Sequence, residues 1–296
     1  MKTTIKKINI DEWEEARKTS NVSSVFLQQK WVSMVEKSFS LRFVRYLAKT
    51  PEGSFLIPCY IYDDFLYQVG FIGYGGPLPV FGAPESLNYL DDMVQLISDD
   101  LQRKCRRIVA YPSDLLAYKS GKMLGRSSQT NIIRLAQDSD HMFRNVISGN
   151  ARNSIRKAQK NNVTVKLIAE TDLSWAHYLL TSTQKRVGSP YCTDFLFFQR
   201  MYASNICHFW GGYLNNLLVC ISVFIQGENE VFYYLNGTDL NYRSCCPNYM
   251  VLWQAIKNSI ADHKNVFDMG ISHYDSLVAF KKKWGTASVG VINIGD

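Results

Sequence analysis

The sequence lacks the features that assign many proteins to a functional class at once. Its seven cysteines form no CxxC pair, so we expect reduced thiols in a cytoplasmic protein. Its five scattered histidines show no spacing typical of a metal site. The longest apolar run, Leu217 to Ile225, has only about half the ~20 residues needed to cross a bilayer. The opening residues, MKTTIKKINIDEW, contain no apolar core or cleavage site of a secretion signal.

The composition predicts a globular protein with a substantial core. Of its 296 residues, 46% are hydrophobic and 20% are charged, which excludes a disordered chain. The net charge of +7 favours anionic partners only weakly, because many basic proteins bind no polyanion. The excess of positive charge lies in three segments, Arg103 to Arg107, Arg152 to Lys160, and Lys281 to Lys283.

Hydrophobic periodicity predicts an α+β protein in which two halves repeat one order of elements. Each half has helices, an antiparallel meander, a long helix and further strand. The long helices are predicted from apolar residues three and four apart, from Leu87 to Leu101 and from Tyr249 to Ile260. We place the domains at residues 1–138 and 139–296, with the C-terminal strand expected to pack back on the first.

Three local patterns add detail to this prediction. Asp11 and Glu14 resemble a helix-start capping pair. Asn215-Asn216 between two apolar runs predicts a tight hairpin turn. A helix is expected from Asp140 to Asn161, with basic residues at every fourth position forming one stripe, Arg152, Arg156 and Lys160. A solvated face and a wall for a phosphate-bearing ligand are both open for that stripe.

Five stretches, taken in order, resemble segments of the Fem-type (FemABX-like) transferases. They are FLQQKW, GYGGPL, the R-x-x-I-R-K-A-x-K-x-x-V-x-V segment from Arg152, YYLNGTDLNYRSCCPNYMVLWQAIKNSI with VFDMG, and SLVAFKKKWG. That family is built from two tandem acetyltransferase-like (GNAT) domains. The resemblance therefore implies two GNAT-like domains, each a mixed, mostly antiparallel sheet flanked by helices.

The resemblance also implies a reaction, the transfer of an acyl group to an amine. In the Fem branch the donor is aminoacyl-tRNA and the acceptor is a peptidoglycan precursor peptide. Relatives in the wider group acylate other amines, including those of sugars. The expected partners are thus tRNA and a nucleotide- or lipid-linked cell-envelope precursor, with no cofactor apart from the donor and with acetyl-CoA as the alternative donor.

Three residues are candidates for catalysis. Amine attack on an acyl carbon creates an oxyanion, which needs a cation or hydrogen-bond donor, and releases a proton, which needs an acceptor. Lys281 matches the family lysine beside the reaction centre, although a lysine run is also typical of a solvated surface. Asp268 matches a family aspartate at a strand end, where capping or ion pairing is the alternative. Tyr234 is preferred to Tyr233 as a hydrogen-bond donor, since neighbours on a strand face opposite sides.

Five further residues are candidates for substrate binding. Arg186 matches a T-x-x-R-x-G pattern of the family, and Tyr74 lies in the bend that the glycines of GYGGPL permit. The others are basic residues from two of the three positively charged segments, Arg152, Arg156 and Lys282. Each of them also fits an ordinary structural or solvated position.

Two departures from the family pattern bear on the substrates. Cys192 and Thr193 occupy the region where the Fem branch carries a phosphate-binding arginine. The segment RSCCPN has no glycine to let backbone N–H groups approach a pyrophosphate, and its proline has no N–H to offer. Aminoacyl-tRNA is therefore our leading donor. The alternatives are an acyl-CoA-dependent enzyme acting on an amino-sugar or other surface-polymer precursor, and a non-catalytic module that binds a phosphorylated ligand.

Overall fold

The computed structural model describes residues 2–20, 24–80, 88–110, 125–189, 191–272 and 275–295. The chain divides into two compact units. Unit 1 comprises Met1–Thr130 with Ser288–Asp296, and unit 2 comprises Asn131–Ala287. Residue 87 of the predicted helix and residues 81–84 of the glycine-rich loop lie outside the described ranges.

Both units combine helices with a mostly antiparallel sheet, as expected of an α+β protein. The helices are α1 Ile10–Lys18, α2 Gln29–Phe39, α3 Leu90–Leu101, α4 Ser139–His141, α5 Gly149–Lys160, α6 Leu173–Arg186, α7 Phe195–Ala203, α8 Pro247–Ala261 and α9 Asp275–Lys282. The strands are β1 Thr4–Lys7, β2 Arg42–Thr50, β3 Gly53–Ile61, β4 Leu66–Val69, β5 Leu78–Pro79, β6 Lys104–Val109, β7 Gly125–Arg134, β8 Thr164–Leu167, β9 Cys207–Leu214, β10 Leu217–Gln226, β11 Glu230–Thr238, β12 Val266–Ile271 and β13 Ala287–Gly295.

The sheet of unit 1 has the neighbour order β1-β2-β3-β4-β6-β13, and β5 pairs with β3. The pairs are antiparallel except for the parallel pair of β4 with β6. The glycine-rich bend before β5 is fixed by backbone contacts, because the N–H groups of Gly75 and Gly76 both donate to the carbonyl of Val109. A side chain at Gly75 would overlap the backbone of Gly70. Close packing of the chain against itself thus accounts for these glycines.

The sheet of unit 2 has the order β12-β11-β10-β9-β8, antiparallel except for the parallel pair β11–β12. The predicted hairpin turn is confirmed, since Asn215 and Asn216 both have positive φ, 48° and 64°, as a primed two-residue turn requires. Alternate residues of β11 contact different helices. Thr238 bonds to Asn248 of α8, whereas Gly237 lies against the backbone of α6. Helices α8 and α6 therefore cover opposite faces of this sheet.

The predicted helix from Asp140 to Asn161 is wrong in one respect, because it is broken. A π-helical turn over Met142–Val146 follows α4, and the extended residue Ile147 separates that turn from α5. Ser148 then caps α5 by accepting a hydrogen bond from the N–H of Ala151. Because the Ser148 side chain caps the backbone there, a new helix starts at this point, and the single predicted helix is interrupted.

The capping pair predicted for α1 is also wrong, by two residues. Asn9 accepts a hydrogen bond from the N–H of Glu12, and the Glu12 carboxylate accepts one from the N–H of Asn9. This is a reciprocal capping box with the expected three-residue spacing. Asp11 instead lies within the first helical turn, where a negative charge suits the helix dipole.

Candidate functional site

Strands β11 and β12 of unit 2 stop pairing partway along their lengths. Their parallel pairing covers three positions, from Glu230 opposite Val266 to Phe232 opposite Asp268. Strand β11 continues to Thr238 and β12 continues to Ile271, so both run on beyond the last pair. The carboxyl ends of parallel strands are where open α/β sheets bind ligands. This opening is therefore the part of unit 2 to search for a site.

Asp268 lies at the opening and shapes the end of β12. It is only 4% exposed, and its Oδ1 atom accepts a hydrogen bond of 2.7 Å from the N–H of Gly270. Gly270 has φ +75°, and a Cβ there would lie 3.3 Å from the ring of Phe232. The motif D-M-G therefore makes a turn that suits glycine and fixes the direction of the Gly270 carbonyl.

Lys281 of α9 reaches this turn with its amine. The side chain is buried, with 3% of its surface exposed. Its Nζ atom donates to the carbonyls of Gly270 at 2.7 Å and Ile271 at 3.1 Å. Burial lowers the pKa of Lys281 from 10.5 to about 8, because it disfavours the ammonium, while the negative charge of Asp268 acts in the opposite direction. The solvated surface considered for the lysine run is therefore wrong for Lys281.

A β-bulge decides which tyrosine shares this face of the sheet. Strand β10 pairs Phe224 with Tyr233 and Val223 with Leu235, so Tyr234 is the extra residue. The ring of Tyr234 lies 6.3 Å from that of Phe232, the residue paired with Asp268. Burial raises the pKa of the Tyr234 hydroxyl, which therefore stays protonated at neutral pH. Tyr233 instead stacks on Phe224 at 5.2 Å, within the core cluster that contains much of α8.

The structure thus brings Lys281 and Asp268 together and places Tyr234 on the same face as Asp268. Residues paired across neighbouring strands point to the same side of a sheet. Phe232 and Asp268 are such a pair, and they face away from the core cluster that contains Val231 and Phe267. The catalytic role of the three residues stays a prediction.

The five residues predicted to bind substrate are spread over the chain. Arg152 donates from Nη1 to the carbonyls of Arg144 and Ile147, both at 2.7 Å, and so holds the π-helical turn. The Arg156 guanidinium lies 5.6 Å from the centre of the Phe143 ring. The remaining three are Arg186, exposed at the end of α6, Lys282, exposed on α9, and Tyr74, buried in unit 1. Their contact with a substrate stays a prediction.

The sequence interpretation missed a polar cluster beneath the start of α8. Asn248 accepts hydrogen bonds from Thr238 at 2.5 Å and from the thiol of Cys220 at 2.9 Å. Asn236 donates to the hydroxyl of Ser222, which is fully buried, at 3.1 Å. Because α8 has no side-chain cap, this cluster fixes its first turn. The available signal was a set of small polar residues inside otherwise apolar strands.

Neither a membrane-spanning helix nor a metal site is present in the parts of the chain that the structure describes. None of the helices there offers the length of apolar sequence that a membrane span requires. No group of three or more His, Cys, Asp or Glu side chains is arranged there to hold a metal ion.

FemX superposes on the chain with a TM-score of 0.72 and 14% identity, covering 98% of this chain and 96% of FemX. The chain has the fold of FemX. The C-terminal domain of a putative lysylphosphatidylglycerol synthetase from Agrobacterium fabrum gives a TM-score of 0.59 at 8% identity, covering 97% of this chain and 92% of that one. A tandem GNAT protein from the clavulanic acid biosynthesis pathway gives 0.55 at 7% identity, covering 99% and 98%.

These similarities confirm the predicted α+β class and the resemblance to the Fem-type, tandem GNAT-like fold. No family model matches the chain, and no curated protein matches it. Because the structural relatives are so distant in sequence, what they establish is the fold.

Proposed function

We propose that this protein is an N-acyltransferase that moves an aminoacyl group from charged tRNA to an amine of a peptidoglycan-type cell-envelope precursor in the cytoplasm. The observation that carries the proposal is the buried Lys281 amine where β11 and β12 separate. The full-length likeness to FemX supports it. The precursor is expected to be linked to a nucleotide or a lipid.

The geometry of Lys281 fits stabilisation of a negative oxygen. An ammonium carries three N–H donors, and two of them are used by the carbonyls of Gly270 and Ile271. No other described residue accepts the third. In a buried site a fixed cation stabilises a developing oxyanion more strongly than it would in water. We therefore propose Lys281 as the electrostatic centre of the reaction.

The proposed step balances without a cofactor. The acceptor amine forms a C–N bond to the ester carbon of the aminoacyl group, and the carbonyl oxygen becomes the oxyanion. The C–O bond to the tRNA ribose then breaks, and the ribose oxygen leaves and takes up a proton. Asp268, whose charge acts on Lys281, is the proposed acceptor of the amine proton. Tyr234 is the proposed second donor to the oxyanion.

The donor is tested by direct competition. The protein is incubated with charged tRNA and with acetyl-CoA, each carrying a label in its acyl group. Nucleotide-linked peptides and amino-sugars serve as acceptors. We expect amide-linked label from charged tRNA, since α8 begins at Pro247 and is preceded by Cys246 at φ 57°, with no glycine-rich loop there. Label transferred from acetyl-CoA alone would overturn the donor assignment.

An acyl-CoA-dependent N-acetyltransferase acting on an amino-sugar is the second candidate. It is favoured by Cys192, which is exposed where the Fem branch carries a phosphate-binding arginine. Calorimetry with CoA separates the two, because tight binding would support this candidate. A non-catalytic binding module would yield product from neither donor.

A further inference from the structure

The outer face of α6 carries exposed aromatic and basic side chains in one row. Trp175, Tyr178 and Ser182 recur at intervals of three and four residues, so they lie on one side of the helix. Lys185 and Arg186 continue this row at the end of the helix and are both exposed. At 1.5 Å per residue the row is ~15 Å long. We call it the α6 row.

The two aromatic rings of the α6 row are exposed and held in place. Trp175 is 40% exposed and Tyr178 is 55% exposed. Their rings stack with centroids 4.9 Å apart and planes 21° from parallel. The indole N–H of Trp175 donates to the carbonyl of Leu218 at 2.8 Å. A ring pair ordered in advance loses little conformational entropy when a third ring stacks on it.

Positive charge lies at the C-terminal end of the α6 row, which has two cations. No acidic residue occurs from Leu173 to Thr193, and the carboxylate of Asp172, which precedes the rings, accepts a hydrogen bond of 2.6 Å from the hydroxyl of Tyr213. The opposite side of α6 is already used, because its buried residues, such as Leu179 and Leu180, pack on the sheet. The α6 row is therefore an outward-facing surface with aromatic rings in its first half and two cations at its end.

We propose that the α6 row binds the single-stranded end of the donor tRNA, with a base stacked on the Tyr178–Trp175 pair and phosphates near Lys185 and Arg186. This inference rests on the proposed function. Proteins that bind single strands combine stacking rings with a basic track. A length of ~15 Å matches about four stacked nucleotides at ~3.4 Å each.

A lipid surface is the other occupant that such residue types attract. The composition of the α6 row argues against it. Membrane-bound helices insert aliphatic side chains beside their aromatic ones. The α6 row has the polar Ser182 between its rings and its cations, and the nearby exposed aliphatic residues, Val187 and Leu217, lie outside the helix. The indole of Trp175 is also tied to the carbonyl of Leu218, which limits how far the stacked pair can extend into acyl chains.

Fluorescence anisotropy with two RNAs tests the inference. One is an acceptor-stem minihelix with a single-stranded 3′ end, and the other is the same minihelix made blunt. We expect tighter binding of the first. Tyr178→Ala should weaken it at least about fivefold, which corresponds to the loss of ~1 kcal/mol of stacking, whereas Tyr178→Phe should keep it. Lys185→Gln and Arg186→Gln should each lower the slope of log K against log salt by about 0.7.

A matched control is Phe65→Ala, which removes an aromatic ring that is 77% exposed in unit 1 and should leave RNA binding unchanged. Equal binding of the two minihelices, or unchanged binding by Tyr178→Ala, overturns the inference. The inference is also overturned if Tyr178→Ala loses binding to anionic phosphatidylglycerol vesicles but keeps its affinity for RNA, because the α6 row would then bind a lipid surface.

The inference and the proposed function fail in different ways. If wild-type protein transfers no aminoacyl group from charged tRNA, the proposed function is wrong. If transfer occurs and Tyr178→Ala keeps the wild-type KM for charged tRNA, the α6 row is not the docking surface and the proposed function stands. A Tyr178→Ala variant with a raised KM for charged tRNA and little change in kcat supports both the inference and the proposed function.

Discussion

Replacing Lys281 with methionine should abolish transfer while leaving the protein folded. Methionine has a similar length and no amine, so the carbonyls of Gly270 and Ile271 each lose a donor at a cost of ~1 kcal/mol each. The ammonium also carries a burial cost. Lowering its pKa from 10.5 to about 8 corresponds to about 3 kcal/mol at pH 7. The two effects oppose each other, and we expect the free energy of unfolding to change by no more than ~2 kcal/mol.

The effect on the reaction should be much larger than the effect on folding. Loss of one fixed oxyanion partner typically lowers kcat by about 10²–10³-fold, or ~2.7–4 kcal/mol in the barrier. Single-turnover transfer of labelled amino acid measures this loss, and urea unfolding monitors the fold. Lys283→Met is the matched control, because Lys283 ends the same lysine run and is partly exposed, and its replacement should change neither quantity. A folded Lys281→Met protein that transfers at about the wild-type rate would refute the reasoning.

Transfer should decline as the pH rises through about 8, where Lys281 loses its proton. Between about pH 8 and pH 10.5, Lys281 is protonated in the unfolded chain and deprotonated in the folded one, so the stability of the wild type rises with pH. Urea titrations should therefore show the wild type gaining stability relative to Lys281→Met over this interval. Gly270→Ala should destabilise the protein by ~1–2 kcal/mol, because alanine is strained at φ +75°, and should slow transfer by displacing the carbonyl that holds Lys281. A thiol reagent should label three cysteines in the folded protein, Cys192, Cys245 and Cys246, and four more only after denaturation, Cys59, Cys105, Cys207 and Cys220.

Hydrophobic periodicity predicted the helices and strands that bury residues at a regular spacing. The apolar spacing from Tyr249 to Ile260 identified α8, which buries these residues against the sheet of unit 2. The Asn215-Asn216 turn was predictable because both residues tolerate positive φ. Strand β1 was missed because its residues, TIKK, are mostly exposed on a sheet edge and give no apolar signal.

The candidate site depends on irregularities that periodicity does not contain. The bulge at Tyr234 adds one residue to β11, so the simple alternation that separated Tyr233 from Tyr234 could not say which one faces Asp268. Burial of Lys281 inside a run of three lysines depends on the turn at Gly270, whose carbonyl offers it a partner. These are tertiary contacts between residues far apart in sequence, and only the resemblance to a known family pointed to them.

The affinity for a tetrahedral phosphonate analogue of the transfer intermediate tests the role of Lys281 most directly, because such an analogue carries the negative oxygen itself. We predict that Lys281→Met binds it about 10²-fold or more weakly than wild type, while the affinity for the acceptor in its ground state is unchanged. Equal affinity of both proteins for the analogue would contradict the account.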